Sequence, residues 1–512
     1  MQLGLDVFWV LVVVTASGVS AQATVTSTQA VSLPTARPSD AFNVPADFPS
    51  VGFELAFLPG YNNNFSDNLV ASLAQRMGVK PVLRIGGTSG DIIKYNPNQT
   101  EATHCVKEPC NSAAEFILGL SYFNALKQRF KTAKASIQAP FDPIHGTTPP
   151  NRTNVIAYVQ NAYNALGADR VDAIALGNEV NWYEPDAASY VKDAQAAKDT
   201  INSVLSIGDS PIWEVLDTAS EGIKGENPAP YTVKDAFDAG VNTDQKVEYV
   251  AEHYYQFDGK TPGIQKYLLN HTDLKVKMGK YKPSIDYTTN TAKARFILSE
   301  TGGPLGVSDD RQTWFANTLW AVNFQMYAMS MGVSRVSLVQ RPEAKRSLWI
   351  PSAGLLVPGP RVQAPYYALP FMADFLGKSV SGERGVVNID LNSPVLSAYT
   401  MFEGPTLARI AVVNLREYDG TGNRSAVKVR LNNLGTVSGN KVQVGRLHAD
   451  AGTAAGGWDM NQKNITWGGQ QWSYEADQGK GHGVATKKNI QVTDGSAEVV
   501  LPDSEAMIMY LK

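Results

Sequence analysis

Between Val51 and Gln340 a short apolar run followed by a mostly helix-like stretch recurs eight times, and this recurrence constrains the fold more than any other feature. The runs are VGFELAFL (Val51 to Leu58), PVLRIGG (Pro81 to Gly87), ASIQAP (Ala135 to Pro140) and VDAIALGNE (Val171 to Glu179). They continue as PIWEVLDT (Pro211 to Thr218), VEYVAEHYYQ (Val247 to Gln256), RFILSE (Arg295 to Glu300) and SRVSLVQ (Ser334 to Gln340). Several are continuous rather than alternating, as parallel strands covered on both faces should be. The intervening NFSDNLVASLAQRMG and NRTNVIAYVQNAYNALGA place apolar residues three and four apart, the helical spacing. DDRQTWFANTLWAVNFQMYAMSMG is a longer example, predicted to start at Asp309 and Asp310. Strand and helix alternating eight times predict an α/β fold, a (β/α)8 TIM barrel. The alternative, a doubly wound open sheet, lacks the Gly-rich phosphate loop it would need.

After Gly377 the texture changes. VVNIDLNSPVLSAYTMFEG, TLARIAVVNLREYDGTG, AVKVRLNNLG, NKVQVGRLHAD and AEVVLPDSEAMIMYLK alternate apolar and polar residues between Gly, Asn and Asp turns. That pattern predicts a C-terminal antiparallel β-sandwich. The chain therefore divides into a signal peptide (1–21), a linker or a strand joining the β-domain (22–45), a catalytic barrel (46–377) and the sandwich (378–512).

Residues 1–21 have the apolar core VFWVLVVV and the small-residue VSA of a secretory signal, although Asp6 stands where a basic residue is usual. The apolar run is too short to span a bilayer comfortably. Secretion is the expectation, with no membrane contact after cleavage. Six N-x-S/T sequons, at Asn64, Asn98, Asn151, Asn270, Asn423 and Asn464, agree with export. The only cysteines, Cys105 and Cys110 in HCVKEPC, suit one small-loop disulfide in an oxidising compartment; with His104 alone nearby they make a poor metal site. A net charge of −3 with mixed signs excludes an electrostatic case for nucleic acid. The six histidines show no metal-ligand spacing, and no cofactor or metal is expected.

In a barrel of this kind the working groups sit at the C-terminal ends of strands. Those ends carry Glu54, Arg84 with Gly86-Gly87, Asn178-Glu179, His253-Tyr254-Tyr255, Glu300 and Gln340-Arg341. Glu179 closes the fourth run and Glu300 the seventh, on opposite sides of the mouth. Two carboxylates flanking a sugar are what glycoside hydrolysis requires: one protonates the leaving oxygen, the other attacks the anomeric carbon or activates water. Asn178, beside the acid, suits a hydrogen bond to an adjacent sugar hydroxyl. A strand-end Glu taken singly is as often a salt-bridge partner; the paired placement with Asn178 favours chemistry.

With these residues in view, the chain resembles the retaining barrel glycosidases. LRIGGTSGD (Leu83 to Asp91), LGNEVN (Leu176 to Asn181), HYY (His253 to Tyr255) and LSETGG (Leu298 to Gly303) look like glycoside hydrolase family 79, which holds β-glucuronidases and heparanase-type enzymes. The resemblance implies Glu179 as acid/base, Glu300 as nucleophile and Asn178 on the 2-hydroxyl. It further implies Asp91 and Glu54 on hydroxyls of the −1 sugar, with Tyr254 or Tyr255 beside the nucleophile. Adjacent strand residues face opposite ways, so one tyrosine is expected there. Arg84 and His253 would support the pair. The family's uronate loop usually supplies a Tyr and Gly backbone; here Leu305 stands at the Tyr position and Gly306 is kept. Arg341, Lys345 and Arg346 are candidate replacements, since Arg holds carboxylates well.

The expectation is a secreted retaining glycosidase for β-glucuronides or 4-O-methyl-glucuronides, acting on a carbohydrate partner. A neutral-sugar glycosidase and a silent carbohydrate-binding protein are the competitors. Trp458, Trp467 and Trp472 cluster near the C-terminus and suit packing better than sugar stacking.

Overall fold

The computed structural model describes residues 23–511 apart from 142–151, 220–229, 259–262, 306–309, 342–344, 353–358, 379–381, 436–439 and 457–463. The signal segment 1–21, Asn151, Gly306, Asp309 and Trp458 thus lie outside the described residues.

All eight apolar runs become strands of one closed parallel barrel. They are β1 (Pro49–Glu54), β2 (Val82–Gly86), β3 (Lys134–Ala139), β4 (Val171–Leu176), β5 (Trp213–Thr218), β6 (Val247–Asp258), β7 (Arg295–Leu305) and β8 (Arg335–Gln340). β1 closes the ring against β8, pairing Val51 with Leu338. The parity of each strand decides what faces the lumen. Val51 and Phe53 on β1, and Leu83 and Ile85 on β2, join the large core. Their neighbours Ser50, Gly52, Glu54 and Arg84 turn the other way: a Cβ on Gly52 would meet Ser337 at 3.7 Å and Arg84 at 3.8 Å. The lumen therefore carries polar groups along its height. Ser136 Oγ donates to Glu214 Oε2 at 2.6 Å, and Ser50 Oγ donates to Val82 O at 2.5 Å. Ala173, Tyr249, Ala251 and Ile297 form a small apolar plug of their own, and Arg335 closes on Asp172 at 2.7 Å near it. Strands that read as uniformly apolar are apolar mainly on the helix-facing side.

The long segment from Asp309 divides. Asp310–Thr313 is a 3-10 turn, and the helix begins only at Phe315, running to Met331. It is buried on nearly every side because it lies between the barrel and the C-terminal sheet, as its all-round apolar composition requires.

The C-terminal region supplies β9 (Arg384–Ile389), β10 (Leu396–Glu403), β11 (Thr406–Asn414), β12 (Ser425–Asn432), β13 (Lys441–Ala449), β14 (Lys488–Thr493), β15 (Ser496–Pro502) and β16 (Glu505–Tyr510). They form one continuous sheet in the order β12-β15-β14-β13-β16-β11-β10-β9. Its two halves share a core of Val427, Val429 and Leu501 from one side and Ile410, Val412, Met507 and Met509 from the other, the packing of a sandwich. Thr24–Ser32 is a strand at the β12 edge, paired in parallel, so the sheet is not antiparallel throughout. Alternate residues Tyr399, Met401, Ala411 and Ile508 pack instead into the barrel core. Tyr399 donates to Asn323 Oδ1 of the buried helix at 2.7 Å. β10 is buried on both faces for this reason. Trp467 and Trp472 are buried, donating to Asp374 at 2.8 Å and Ser72 at 3.2 Å on barrel helices.

Cys105 and Cys110 are disulfide-bonded beside a three-stranded excursion after β2. Asn64, Asn98, Asn423 and Asn464 are exposed. Asn270 is half-buried, and its side chain caps the helix His271–Gly279 by accepting from Asp273 N.

Candidate active site

β4 ends at Leu176, and the chain then turns through Gly177 (φ 88°) to Glu179, a non-glycine residue at φ 47°. Left-handed backbone is strained for a side chain and persists only where its surroundings fix it. The fixing groups are specific. Glu179 N donates to Asp217 O at the end of β5 at 2.7 Å. Asn178 N donates to Asp91 Oδ2 at 3.1 Å.

Asp91 is held by the protein from several sides. It is 2% exposed and accepts from Gln138 Nε2 (2.8 Å), Phe141 N (3.3 Å), Tyr183 OH (2.9 Å) and Asn178 N. Both its oxygens accept from the protein, so it is a strut under the β4 tip. Burial pushes its carboxyl up to about 7, against the pull of those hydrogen bonds. The glycines of GGTSGD answer to close packing: a Cβ on Gly86 would lie 2.5 Å from Gln138, and one on Gly87 (φ 96°) 2.6 Å from Glu54.

Glu54 is likewise committed. Its Oε1 accepts from Ser89 N at 2.8 Å and Ser89 Oγ at 2.6 Å. Burial first, then Glu300 nearby, raises it to about 7. It is 5% exposed, at the end of β1 beside the mouth.

Across the barrel, His253 of β6 stands in register with Glu300 of β7, just after a bulge at Glu252. Bulges re-aim side chains at such sites. Glu300 Oε2 accepts from Arg84 Nη1 at 3.0 Å, and Oε1 accepts from Tyr255 OH at 2.5 Å. Arg346 Nη1 donates to the same hydroxyl at 2.8 Å, with the guanidinium 5.0 Å from the Tyr255 ring centroid. Burial works against the Glu300 carboxylate, but His253, Arg84 and Arg346 with the Tyr255 bond outweigh it and hold the group at about 2.

His253 is the bridge. Its Nδ1 lies 3.3 Å from Glu179 Oε1 and its Nε2 2.8 Å from Asp217 Oδ1. Burial disfavours its charge; Glu300, Asp217 and Glu179 outweigh that and raise it to about 9. Arg84 also reaches Asn178 Oδ1 at 2.5 Å. Asn178, Glu179, His253, Arg84, Tyr255 and Glu300 are thus one connected cluster. Within it the Glu179 side chain is 28% exposed and that of Glu300 11%, so Glu179 is the more open to solvent.

Tyr254 is not part of the cluster. It faces outward, donating to Gln256 Oε1 at 2.7 Å and stacking on Phe324 at 4.7 Å, because strand parity separates it from Tyr255. Gly306 lies outside the described residues, and Leu305 closes β7 half-buried. Lys345 pairs with Asp310 at 2.5 Å. Arg341 lies over Phe57, 4.9 Å from its ring centroid, leaving Arg346 as the basic-turn residue tied to Tyr255. Among the described residues no group of His, Cys, Asp and Glu is arranged to hold a metal ion.

Three site residues escaped the sequence reading. Asp217 is 1% exposed; burial pushes its carboxyl up, but Arg84, His253 and Ser299 hold it well below the usual range. It closes WEVLD as Glu179 closes its own run, so the strand-end rule applied to run five would have found it. Tyr183 and the lumen acid Glu214, raised to about 8 by burial and by Asp217, carry no local sequence signal.

Comparison with known proteins agrees with this geometry. Residues 398–508 match the glycosyl hydrolase family 79 C-terminal beta domain. A β-glucuronidase of Aspergillus niger is 26% identical, the match covering 91% of this chain and 90% of the relative. One of Neurospora crassa is 25% identical, over 84% of this chain and 85% of its own. A solved 4-O-α-L-rhamnosyl-β-D-glucuronidase from Fusarium oxysporum has the same fold, with a TM-score of 0.78 at 19% identity over 94% of this chain and 100% of its own.

Proposed function

The chain belongs to glycoside hydrolase family 79, and on that premise we propose that this glycoside hydrolase, which acts on glucuronides, cleaves β-linked ones by double displacement with retention of configuration. Glu300 is the nucleophile and Glu179 the acid/base. In the first step Glu300 attacks the anomeric carbon, while Glu179 gives a proton to the departing glycosidic oxygen. In the second, Glu179 takes a proton from water, which displaces Glu300 and restores the starting configuration.

The observation that carries the reading is the unequal treatment of the two carboxylates. Glu300 is held ionised at about 2 by three cations and a tyrosine, which suits attack on carbon. Glu179 is the more open group, touching His253, which suits proton exchange with a leaving group and then with water. Asn178, gripped by Arg84, suits the 2-hydroxyl. Arg346 supplies positive charge beside the Glu300–Tyr255 pair, where the uronate carboxylate would need it, and we assign it that contact in place of the tyrosine that Leu305 replaces. Secretion belongs to the same reading, supported by the leader-like residues 1–21 and the exposed sequon asparagines.

Hydrolysis of p-nitrophenyl β-glucuronide and β-glucoside by the wild type and Glu300→Gln tests it. Glucuronide cleavage, lost in the variant and giving the β-anomer first, is the expected result. Cleavage of the glucoside alone would overturn the uronate assignment and keep the mechanism.

A further inference from the structure

Near its end β5 breaks the alternation of a strand. Glu214 faces the lumen and accepts from Ser136, but Val215 and Leu216 both lie in the large core, and Asp217 returns to the lumen. The break is made by Leu216 at φ 78° and Asp217 at φ 47°, two successive non-glycine residues in the left-handed region. Such backbone is costly and persists only where its surroundings fix it. Here Leu216 N donates to Tyr190 OH at 2.7 Å, and Asp217 O accepts from Glu179 N at 2.7 Å. The outcome is a carboxylate aimed at the His253 ring, with Asp217 Oδ1 2.8 Å from Nε2. Nδ1 of the same ring lies 3.3 Å from Glu179 Oε1. The ring is fully buried; the other charged groups facing it are Arg84, with Nη2 3.4 Å from Nε2, and Glu300 of β7. An ionised carboxylate can only accept, so the nitrogen facing Asp217 carries hydrogen.

We propose that Asp217 is a positioning residue for the acid/base: by keeping hydrogen on both nitrogens of His253, it ties up Glu179 Oε1 and leaves Oε2 to carry the catalytic proton. The inference rests on the glucuronidase reading and on Glu179 as acid/base. Nδ1–H donates to Oε1, so the proton of the acid form sits on Oε2. It passes from there to the glycosidic oxygen as that oxygen's bond to the anomeric carbon breaks. In the second step Oε2 takes a proton from the attacking water. The raised His253, at about 9, agrees with a ring that keeps both hydrogens. With a neutral group in place of Asp217, the imidazolium loses its nearest anion. Once it gives up the Nδ1 hydrogen, the bare nitrogen accepts from Glu179 Oε1–H and holds that proton away from the leaving oxygen.

The test compares kcat/KM for methyl β-glucuronide, whose leaving group needs the proton, and for 2,4-dinitrophenyl β-glucuronide, whose leaving group does not, in the wild type and Asp217→Asn. Nitrogen-15 NMR of the His253 ring accompanies it at about pH 7. The expected result is that the variant loses roughly 100-fold more on the methyl than on the dinitrophenyl glycoside. The spectra should show hydrogen on both ring nitrogens in the wild type and on one in the variant. Equal losses on the two substrates, with the wild type active on both, overturn the positioning role and spare the glucuronidase reading. A bare Nδ1 in the wild type overturns the role as well, and that measurement stands even where the variant fails to fold. A wild type inert on both glucuronides overturns the glucuronidase reading and the role with it.

Discussion

Arg84 of β2 and Glu300 of β7 form a buried ion pair across the barrel mouth, Nη1 to Oε2 at 3.0 Å, with the Arg84 side chain 5% exposed. The same guanidinium grips Asn178, so one residue from the second strand sets the positions of groups on the fourth and the seventh. A buried charge is costly unless paired, and here the pairing links the residues assigned to attack and to substrate binding.

Glu179→Ala should separate the two steps. Glycosides with poor leaving groups should slow by about 10³-fold or more, while activated aryl glycosides retain far more activity in their first step. Azide should restore turnover by attacking the glycosyl-enzyme, yielding the β-glycosyl azide. Equal losses on both substrate types, with no azide product, would remove Glu179 from the acid/base role.

Arg346 gives a specificity prediction. Arg346→Gln should lower kcat/KM on a β-glucuronide by about 100-fold, the worth of one charge-assisted bond. The loss on the matching β-glucoside should be much smaller, so the glucuronide-to-glucoside ratio falls. Parallel losses would mean that Arg346 serves only to orient Tyr255.

His253 should make stability depend on alkaline pH. Its folded pKa is raised, so the stabilisation is fully present below the unfolded value of about 6.5 and is lost as pH rises through about 9. Asp217→Asn removes one of the anions that raise it, so in the variant the loss should begin at lower pH. Thermal melts from about pH 6 to pH 10 read this directly. Superimposable wild-type and variant curves would contradict it.

Asp91→Asn should destabilise the β4 tip. The carboxylate accepts four hydrogen bonds, two from backbone N–H groups. An amide would turn an NH2 group toward at least one donor, leaving buried polar groups unmatched at a cost of roughly 2 kcal/mol or more. The expected outcome is a lower melting temperature together with reduced kcat, since Asn178 and Glu179 lose their strut. An unaltered melting temperature would refute the strut.

Export can be read chemically. Expression of the full chain in a eukaryotic secreting host should release protein whose N-terminus is Gln22. Its mass should fall on treatment with an amidase that removes N-linked glycans. Retention in the cell with Met1 in place would reject the secretory reading.

What the sequence determined by itself follows from local rules. Eight strand-like runs spaced by helical periodicity left little but a closed barrel, and the strand-end rule picked out Glu179, Glu300, Arg84 and His253 because parallel strands deliver their C-termini to one face. Two-residue parity limited the HYY motif to one inward tyrosine but did not say which; the bulge and register of β6 decided for Tyr255. The partners of Asp91 were illegible because they come from two other segments at the mouth, Gln138 and Phe141 at the end of β3 and Asn178 and Tyr183 after β4. Nothing along the chain distinguishes a carboxylate that accepts four protein donors from one that waits for a ligand. The strand Thr24–Ser32, the helix Phe315–Met331 buried on both sides and the placement of Arg346 over Tyr255 were tertiary decisions for the same reason. Local periodicity says which faces need covering, and long-range packing decides what covers them.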